Sequence, residues 1–159
     1  MFSMLRRRAR PVVEDLRIEH AAECARLHAD FFAHPWGVNE FETMIASAAV
    51  YGAAGVDPSR GDFGGFILVR RAADEAEILT IAVDKSLQKQ GLGRELLDFQ
   101  VSGLRRIGVR RLFLEVDENN RAARRLYEKS AFAQVGTRPG YYRSAEGSPA
   151  NALILACEL

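Results

Sequence analysis

The chain reads as one mixed α/β domain, and three observations predict it. Residues 78–83, Ile-Leu-Thr-Ile-Ala-Val, form an almost unbroken apolar run rich in β-branched residues, as a buried strand requires. A glycine-bearing turn, Gln88 to Arg94, leads from that run into a long amphipathic stretch with helical spacing. Strand-like and helix-like segments alternate through the second half, while the first half carries short strand-like runs separated by turn residues.

Composition narrows the class. With 159 residues the chain fits one domain and can bury most of its apolar surface in a single core. It is 48% hydrophobic and 27% charged, which suits neither a fibre nor a disordered chain, and no apolar run approaches the roughly 20 residues of a membrane span. The 22 basic residues, 19 of them arginine, nearly balance 21 acidic ones, so net charge alone does not suggest a general nucleic-acid coat. Arg6, Arg7, Arg8 and Arg10 make residues 1–11 a basic leader ahead of a domain at 12–159; no apolar stretch follows them as in a signal peptide. Cys24 and Cys157 are few and far apart, which suits free thiols in a reducing cytoplasm. His20, His28 and His34 lack the partners of a zinc motif, so no metal is expected.

The elements follow in order. Residues 12–18 predict a first strand, and Ala22, Ala25, Ala29 and Phe32 give 19–32 a helical period. His34-Pro35-Trp36-Gly37 ends that helix, and Asn39 is placed to cap a second one running to Ser47. Residues 50–56 and 64–70 read as strands joined by the turn-rich 57–62, and 73–75 turns the chain into the central strand. The long helix carries Leu92, Leu96, Phe99 and Ile107 on one side with Leu97, Val101 and Leu104 beside them, and Gly108 stops it. Residues 112–116 predict the next strand, with Phe113 and Glu115 on the face opposite Leu112, Leu114 and Val116. A helix over 117–130 follows, capped by Asn119 or Asn120; then a strand near 133–136, a Pro139-Gly140-Tyr141-Tyr142 loop and a last strand at 152–157.

The turn after the central strand has the chemistry of an anion site. The first turn of a helix leaves backbone N–H groups without partners, and the helix dipole adds partial positive charge there. Gly91 and Gly93 would let phosphate oxygens reach those amides, with Gln88, Lys89 and Arg94 as donors at the rim. The pattern is Gln-x-x-Gly-x-Gly. It lacks the Gly-Lys-Ser/Thr of a Walker loop and the third glycine of a dinucleotide fingerprint, which would fall at Leu96.

This segment resembles the GNAT acetyltransferase superfamily, whose signature Arg/Gln-x-x-Gly-x-Gly/Ala follows a strand and opens a helix. Residues 80–94, the run Leu112-Phe113-Leu114-Glu115-Val116 and the stretch 119–132 match that pattern in order, so the likeness extends over residues 12–159. Within the superfamily, Ile-Ala-Val-Asp, Leu-Glu-Val-x-x-x-Asn and Gly-Tyr-Tyr are most similar to the RimI-type ribosomal-protein-alanine N-acetyltransferases. The resemblance implies the GNAT, or acyl-CoA N-acyltransferase, fold: a mixed, mostly antiparallel sheet of about seven strands flanked by about four helices. It also implies acetyl-CoA as co-substrate and a protein N-terminal α-amine, that of the N-terminal alanine of a small-subunit ribosomal protein, as acceptor; the alternatives are a GNAT enzyme for lysine side chains or a small amine, and an acetyl-CoA-binding regulatory module without turnover.

Residue roles come from the same resemblance. The pantetheine arm would pair with the backbone of Ile81, Ala82 and Val83, and the diphosphate would lie on Gln88, Lys89, Gln90, Gly91, Leu92, Gly93 and Arg94. Glu115 would be the base, a carboxylate in an apolar strand that must otherwise face water. Tyr127 would return a proton to the coenzyme sulfur; the bland alternative is a core aromatic. Asn120, two helical turns before it, would reach the cofactor or cap its helix. Tyr141, Tyr142 and the single tryptophan, Trp36, would border the acceptor, although Trp36 could equally pack beneath its own loop. Neither cysteine adjoins these motifs, which favours direct transfer. The arginines at 105, 106, 110, 111, 121, 124 and 125 read as a largely solvated basic face. One departure stands out: Ser148-Pro149-Ala150-Asn151 replaces an acidic pair common in RimI-type chains. Lys85 also takes the place of a frequent proline.

Overall fold

The computed structural model describes residues 9–143 and 147–159; Arg6, Arg7 and Arg8 of the leader lie outside that range. Seven strands and four α-helices follow one another as β1 (Val12–Asp15), α1 (Ala21–Ala29), α2 (Val38–Ala46), β2 (Val50–Val56), β3 (Phe63–Ala72), β4 (Glu75–Val83), α3 (Leu92–Arg106), β5 (Arg111–Asp117), α4 (Arg121–Glu128), β6 (Ala133–Arg143) and β7 (Pro149–Glu158). One sheet holds all seven strands in the order β1-β2-β3-β4-β5-β7-β6. Every pairing is antiparallel except β4 with β5. That parallel pair is the crossover α3 makes possible, because parallel neighbours cannot be joined by a tight turn.

Two cores sandwich the sheet. Leu96, Leu97 and Leu104 of α3 and Tyr127 of α4 pack with Ile67, Val69, Ile78, Leu112, Leu114 and Val116 on one side. Ala21, Cys24 and Leu27 of α1 and Phe41 of α2 pack with Phe66, Leu68 and Ala82 on the other. On α3 the stripe read from sequence is buried at Leu92, Leu96, Leu97 and Leu104, whereas on α1 the expected stripe is not: Ala22, Ala29 and Phe32 are exposed, and Ala21, Cys24, Leu27 and His28 face the core instead.

Several boundaries differ from the sequence expectation for identifiable reasons. The first strand stops at Asp15, and a single 3₁₀ turn at Ile18–His20 precedes α1. Gly37, not Asn39, is the N-cap of α2; Asn39 lies within the first turn, and its carbonyl accepts from Thr43 Oγ1 at 2.9 Å. The expected loop at Pro139-Gly140-Tyr141-Tyr142 is instead a bulge inside a continuous β6, since pairing passes from Arg138↔Ala152 directly to Tyr142↔Ala150. Asn151 makes that possible by accepting the Gly140 N–H through Oδ1 at 3.0 Å. Gly108, with φ +85, ends α3 as its sequence position implied.

Candidate functional site

The site begins where two strands part. β4 and β5 pair only at Glu75↔Arg111, Ala76↔Leu112 and Glu77↔Phe113, so the remainder of β4, Ile78 through Val83, has no strand partner on its β5 side. Main-chain N–H and C=O groups rarely go unpaired in a folded interior, and this edge offers a ladder to an extended ligand. Ile81, Ala82 and Val83 lie on it.

The turn after β4 supplies the second half. Gly91 is the N-cap of α3 at φ +91, a conformation that side-chain-bearing residues avoid, and Lys89 reaches φ +61 just before it. The Gly91 carbonyl already accepts the Glu95 N–H, which leaves the amides of Leu92, Gly93 and Arg94 at the open end of the helix. At Gly93 a Cβ would stand 3.5 Å from Leu126 Cδ2, ordinary contact, so the protein's own packing does not demand glycine there. A ligand lying on the amides would. The side chains of the loop serve its shape: Gln88 Nε2 donates to the Val83 carbonyl at 3.1 Å and Gln90 Nε2 to the Ser86 carbonyl at 3.2 Å. Arg94 pairs with Asp98 at 3.0 Å and donates to the Lys129 carbonyl at 3.0 Å, tying α3 to the end of α4 rather than standing at the rim. Arg10 of the leader pairs with Glu95 in the first turn of α3.

Glu115 lies on β5 beyond the point of parting. Its side chain is 22% exposed and its Oε1 forms an ion pair with Arg138, 3.1 Å from Nε. It faces away from Leu114 and Val116, as strand alternation requires. Tyr127 of α4 is 4% exposed and meets Phe132 edge-on at 5.4 Å. Burial raises its phenol above the ordinary value of 10, with Tyr142 nearby acting in the same direction. The proton therefore stays on Tyr127 at neutral pH. Tyr142 is raised as well, by burial first and then by the Glu115 carboxylate. Glu115 and Tyr127 thus each lie within electrostatic reach of Tyr142.

Of the other expected site residues, Asn120 caps α4, its Oδ1 accepting the Ala123 N–H at 3.1 Å. Trp36 packs beneath its own loop, as one of the two readings had it. Its ring stacks on His28 at 4.8 Å and meets Phe41 edge-on at 5.8 Å, yet it remains partly exposed in the α1–α2 loop. Tyr141 is 55% exposed and meets Tyr142 edge-on at 5.1 Å. The unusual 148–151 segment contributes Asn151, whose N–H and Nδ2 donate to the Glu118 carboxylate at 2.9 and 3.4 Å. Three features had no sequence signal: Arg138 on Glu115, the buried Thr80 hydroxyl with no hydrogen-bond partner, and the neutral, caged His28. Among the described residues no cluster of three or more His, Cys, Asp or Glu could hold a metal ion, and no helix is long and apolar enough to cross a membrane.

Comparison with known proteins agrees with this geometry. The family model described as Acetyltransferase (GNAT) family matches residues 15–132. The [ribosomal protein bS18]-alanine N-acetyltransferase of Escherichia coli (strain K12) is 40% identical over 96 residues, 60% of this chain and 64% of that protein. Its namesake from Haemophilus ducreyi is 36% identical over 94 residues, 59% of this chain and 65% of that protein. The chain thus spans just under two thirds of the length of these curated relatives. The crystal structure of the ribosomal-protein-S18-alanine N-acetyltransferase from Escherichia coli superposes with a TM-score of 0.85 at 29% identity, covering 93% of both chains. Arabidopsis thaliana NAA60 in complex with acetyl-CoA shares the fold, with a TM-score of 0.81 at 20% identity over 94% of this chain and 98% of that one.

Proposed function

Since the chain belongs to the acetyltransferase (GNAT) family, we propose that it transfers acetyl from acetyl-CoA directly to the N-terminal α-amine of a protein, most specifically the N-terminal alanine of a small-subunit ribosomal protein, in the cytoplasm. The observation that carries this reading is the open edge of β4 with a carboxylate, Glu115, and a protonated phenol, Tyr127, set around its parting from β5. The relatives named for ribosomal-protein alanine acetylation support the choice of acceptor.

The coenzyme would supply an activated acetyl thioester; the chain's residues do the rest. Backbone groups of Ile81, Ala82 and Val83 hold its arm, and the amides of Leu92, Gly93 and Arg94 hold its diphosphate. A backbone N–H of β4 donates to the thioester oxygen as negative charge grows on it. Glu115 takes the proton that the amine loses on forming the C–N bond, and Tyr127 protonates the departing sulfur. Acceptor choice follows from how much free amine each candidate offers. An α-amine, with a reference pKa near ~7.8, is about a tenth uncharged at neutral pH, whereas lysine near ~10.4 is uncharged in roughly one part in a few thousand. A single carboxylate base suits the former.

The test is to incubate the protein with acetyl-CoA and peptides beginning Ala, Ser or Met, together with a blocked peptide carrying an internal lysine, and to read masses. Acetylation of the Ala peptide's terminus is expected. Modification of the lysine alone would overturn the acceptor, and coenzyme bound with every peptide unchanged would make the protein a sensor rather than an enzyme.

A further inference from the structure

The proposed chemistry does not use the cation on Glu115. Arg138 lies on β6, two strands from Glu115, and its Nε stands 3.1 Å from Oε1 of that carboxylate in an ion pair. The guanidinium, 54% exposed, is far more open to water than the carboxylate beneath it. Its second contact is the ring of Tyr141, 5.4 Å from Cζ. The neighbouring carboxylates are held differently. Asp117 Oδ1 accepts the Asn119 N–H at 2.8 Å, and Glu118 is gripped by Asn151, so both are fixed by loop and side-chain amides. Glu115 is instead held by a mobile type of group, a long charged side chain on a half-exposed ion pair.

We propose that Arg138 is a specificity-determining residue for the acceptor: its guanidinium occupies, on Glu115, the place that the acceptor's ammonium takes, and moves onto Tyr141 when the amine arrives. This rests on the reading of Glu115 as the base. A guanidinium and an ammonium make the same charge-assisted N–H to carboxylate bond, so their exchange keeps Glu115 compensated throughout. A neutral hydroxyl or a water cannot replace the cation on those terms. The device therefore receives the acceptor as an ammonium, which passes one proton to solvent before Glu115 takes the second as the C–N bond forms, and it withholds the carboxylate from water while the acceptor site is empty. The bulge that carries Arg138 is anchored at Gly140 by Asn151, which fixes the backbone and leaves the exchange to the side chain.

The experiment compares the wild type with Arg138→Gln, Arg138→Ala and Arg138→Lys, measuring kcat and KM for an Ala-initiated peptide and, without peptide, hydrolysis of acetyl-CoA. A half-exposed pair is worth little, so removal of the competing cation should lower the peptide KM by about 1.5- to 5-fold in the Gln and Ala variants. Hydrolysis without peptide should rise, and the Lys variant should restore both values towards wild type. Methylguanidinium added to Arg138→Ala should raise the peptide KM again and suppress hydrolysis, while leaving the wild type unaffected. A higher KM with a lower kcat in the Gln variant, together with no response to methylguanidinium, would make Arg138 a buttress of Glu115 and overturn the proposal. Unchanged kinetics in all three variants would overturn it too. A wild type that acetylates no amine would bring down the enzymatic reading itself, a result distinct from either of these.

Discussion

His28 offers the sharpest test of the packing beside the acceptor loop. Its imidazole, 2% exposed, stacks between Phe32 at 4.0 Å and Trp36 at 4.8 Å and meets Phe41 edge-on at 5.5 Å. Its Nδ1 accepts the Trp36 N–H at 3.2 Å, which requires a lone pair on that nitrogen and so an unprotonated ring. Burial pushes its pKa down from 6.5 to about 4, against a smaller upward pull from Glu40. Because the folded value lies below the unfolded one, the neutral ring's contribution is fully present above pH 6.5. It is lost as pH falls from 6.5 towards about 4, where the folded state takes up the proton as well. The interval corresponds to roughly 3 kcal/mol at about 1.36 kcal/mol per tenfold change in proton affinity. For a chain of this size that is on the order of 6–12 °C in Tm. The assay is urea unfolding of the wild type and of His28→Gln at pH 7.5 and pH 4.5. Carboxylates, and His20, whose pKa burial also lowers, cancel in the double difference. The wild type's advantage over the variant should shrink by about 2 to 3 kcal/mol between the two pH values. A double difference that stays constant would refute the neutral, caged histidine.

Further tests address the cleft. Gly93→Ala should leave stability unchanged or raise it by up to ~1 kcal/mol, since its Cβ has room, yet weaken acetyl-CoA binding about tenfold by calorimetry; unchanged affinity would remove the diphosphate from these amides. Gly91→Ala, at φ +91, should cost about 1–2 kcal/mol in chemical denaturation even without ligand. Glu115→Gln and Tyr127→Phe should each slow turnover about 100-fold or more with the coenzyme dissociation constant within about twofold; equal losses in binding would make them structural. Thr80→Val should stabilise the fold by about 1 kcal/mol, because the buried hydroxyl has no hydrogen-bond partner, and a drop in Tm would contradict that.

What the sequence revealed, it revealed through local physics. Periodicity placed α3 from Leu92 and its stop at Gly108, and β2 over Val50–Val56, because those elements are set by which faces are apolar and where φ must be positive. Asn120 was readable as a cap for the same reason: the cap and its target amide lie three residues apart. The glycine turn showed in sequence only the open amides that an anion could use; reading it as a diphosphate site rested on its likeness to the GNAT signature. Arg138 was not legible, since its partner is 23 positions away and the two meet only because β7 inserts between β5 and β6. The β6 bulge was missed because Pro139-Gly140 is sound loop chemistry; only Asn151, eleven residues on, turns it into strand. His28 read as one of three unremarkable histidines until Phe32, Trp36 and Phe41 closed around it.

The cleft itself depends on a count of one residue. Val69 pairs with Ile78 and Leu68 with Thr80, so Leu79 is an extra residue in β4. Ile78 consequently packs with the α3 core, whereas Ala82 and the partner of Thr80, Leu68, pack with the α1 core. Burial along β4 still alternates strictly, which hides the change of face from any reading of hydrophobic period. A bulge bends its strand and increases its twist, and this one, at Leu79, lies two residues past Glu77, the last position at which β4 pairs with β5. The physical account is then that the extra residue turns β4 away from its parallel neighbour and exposes the edge on which a thioester's arm can lie. On this account Leu79 matters by its presence in the chain more than by its side chain: its replacement by another apolar residue should leave the cleft intact, whereas its deletion would restore continuous register and close the site.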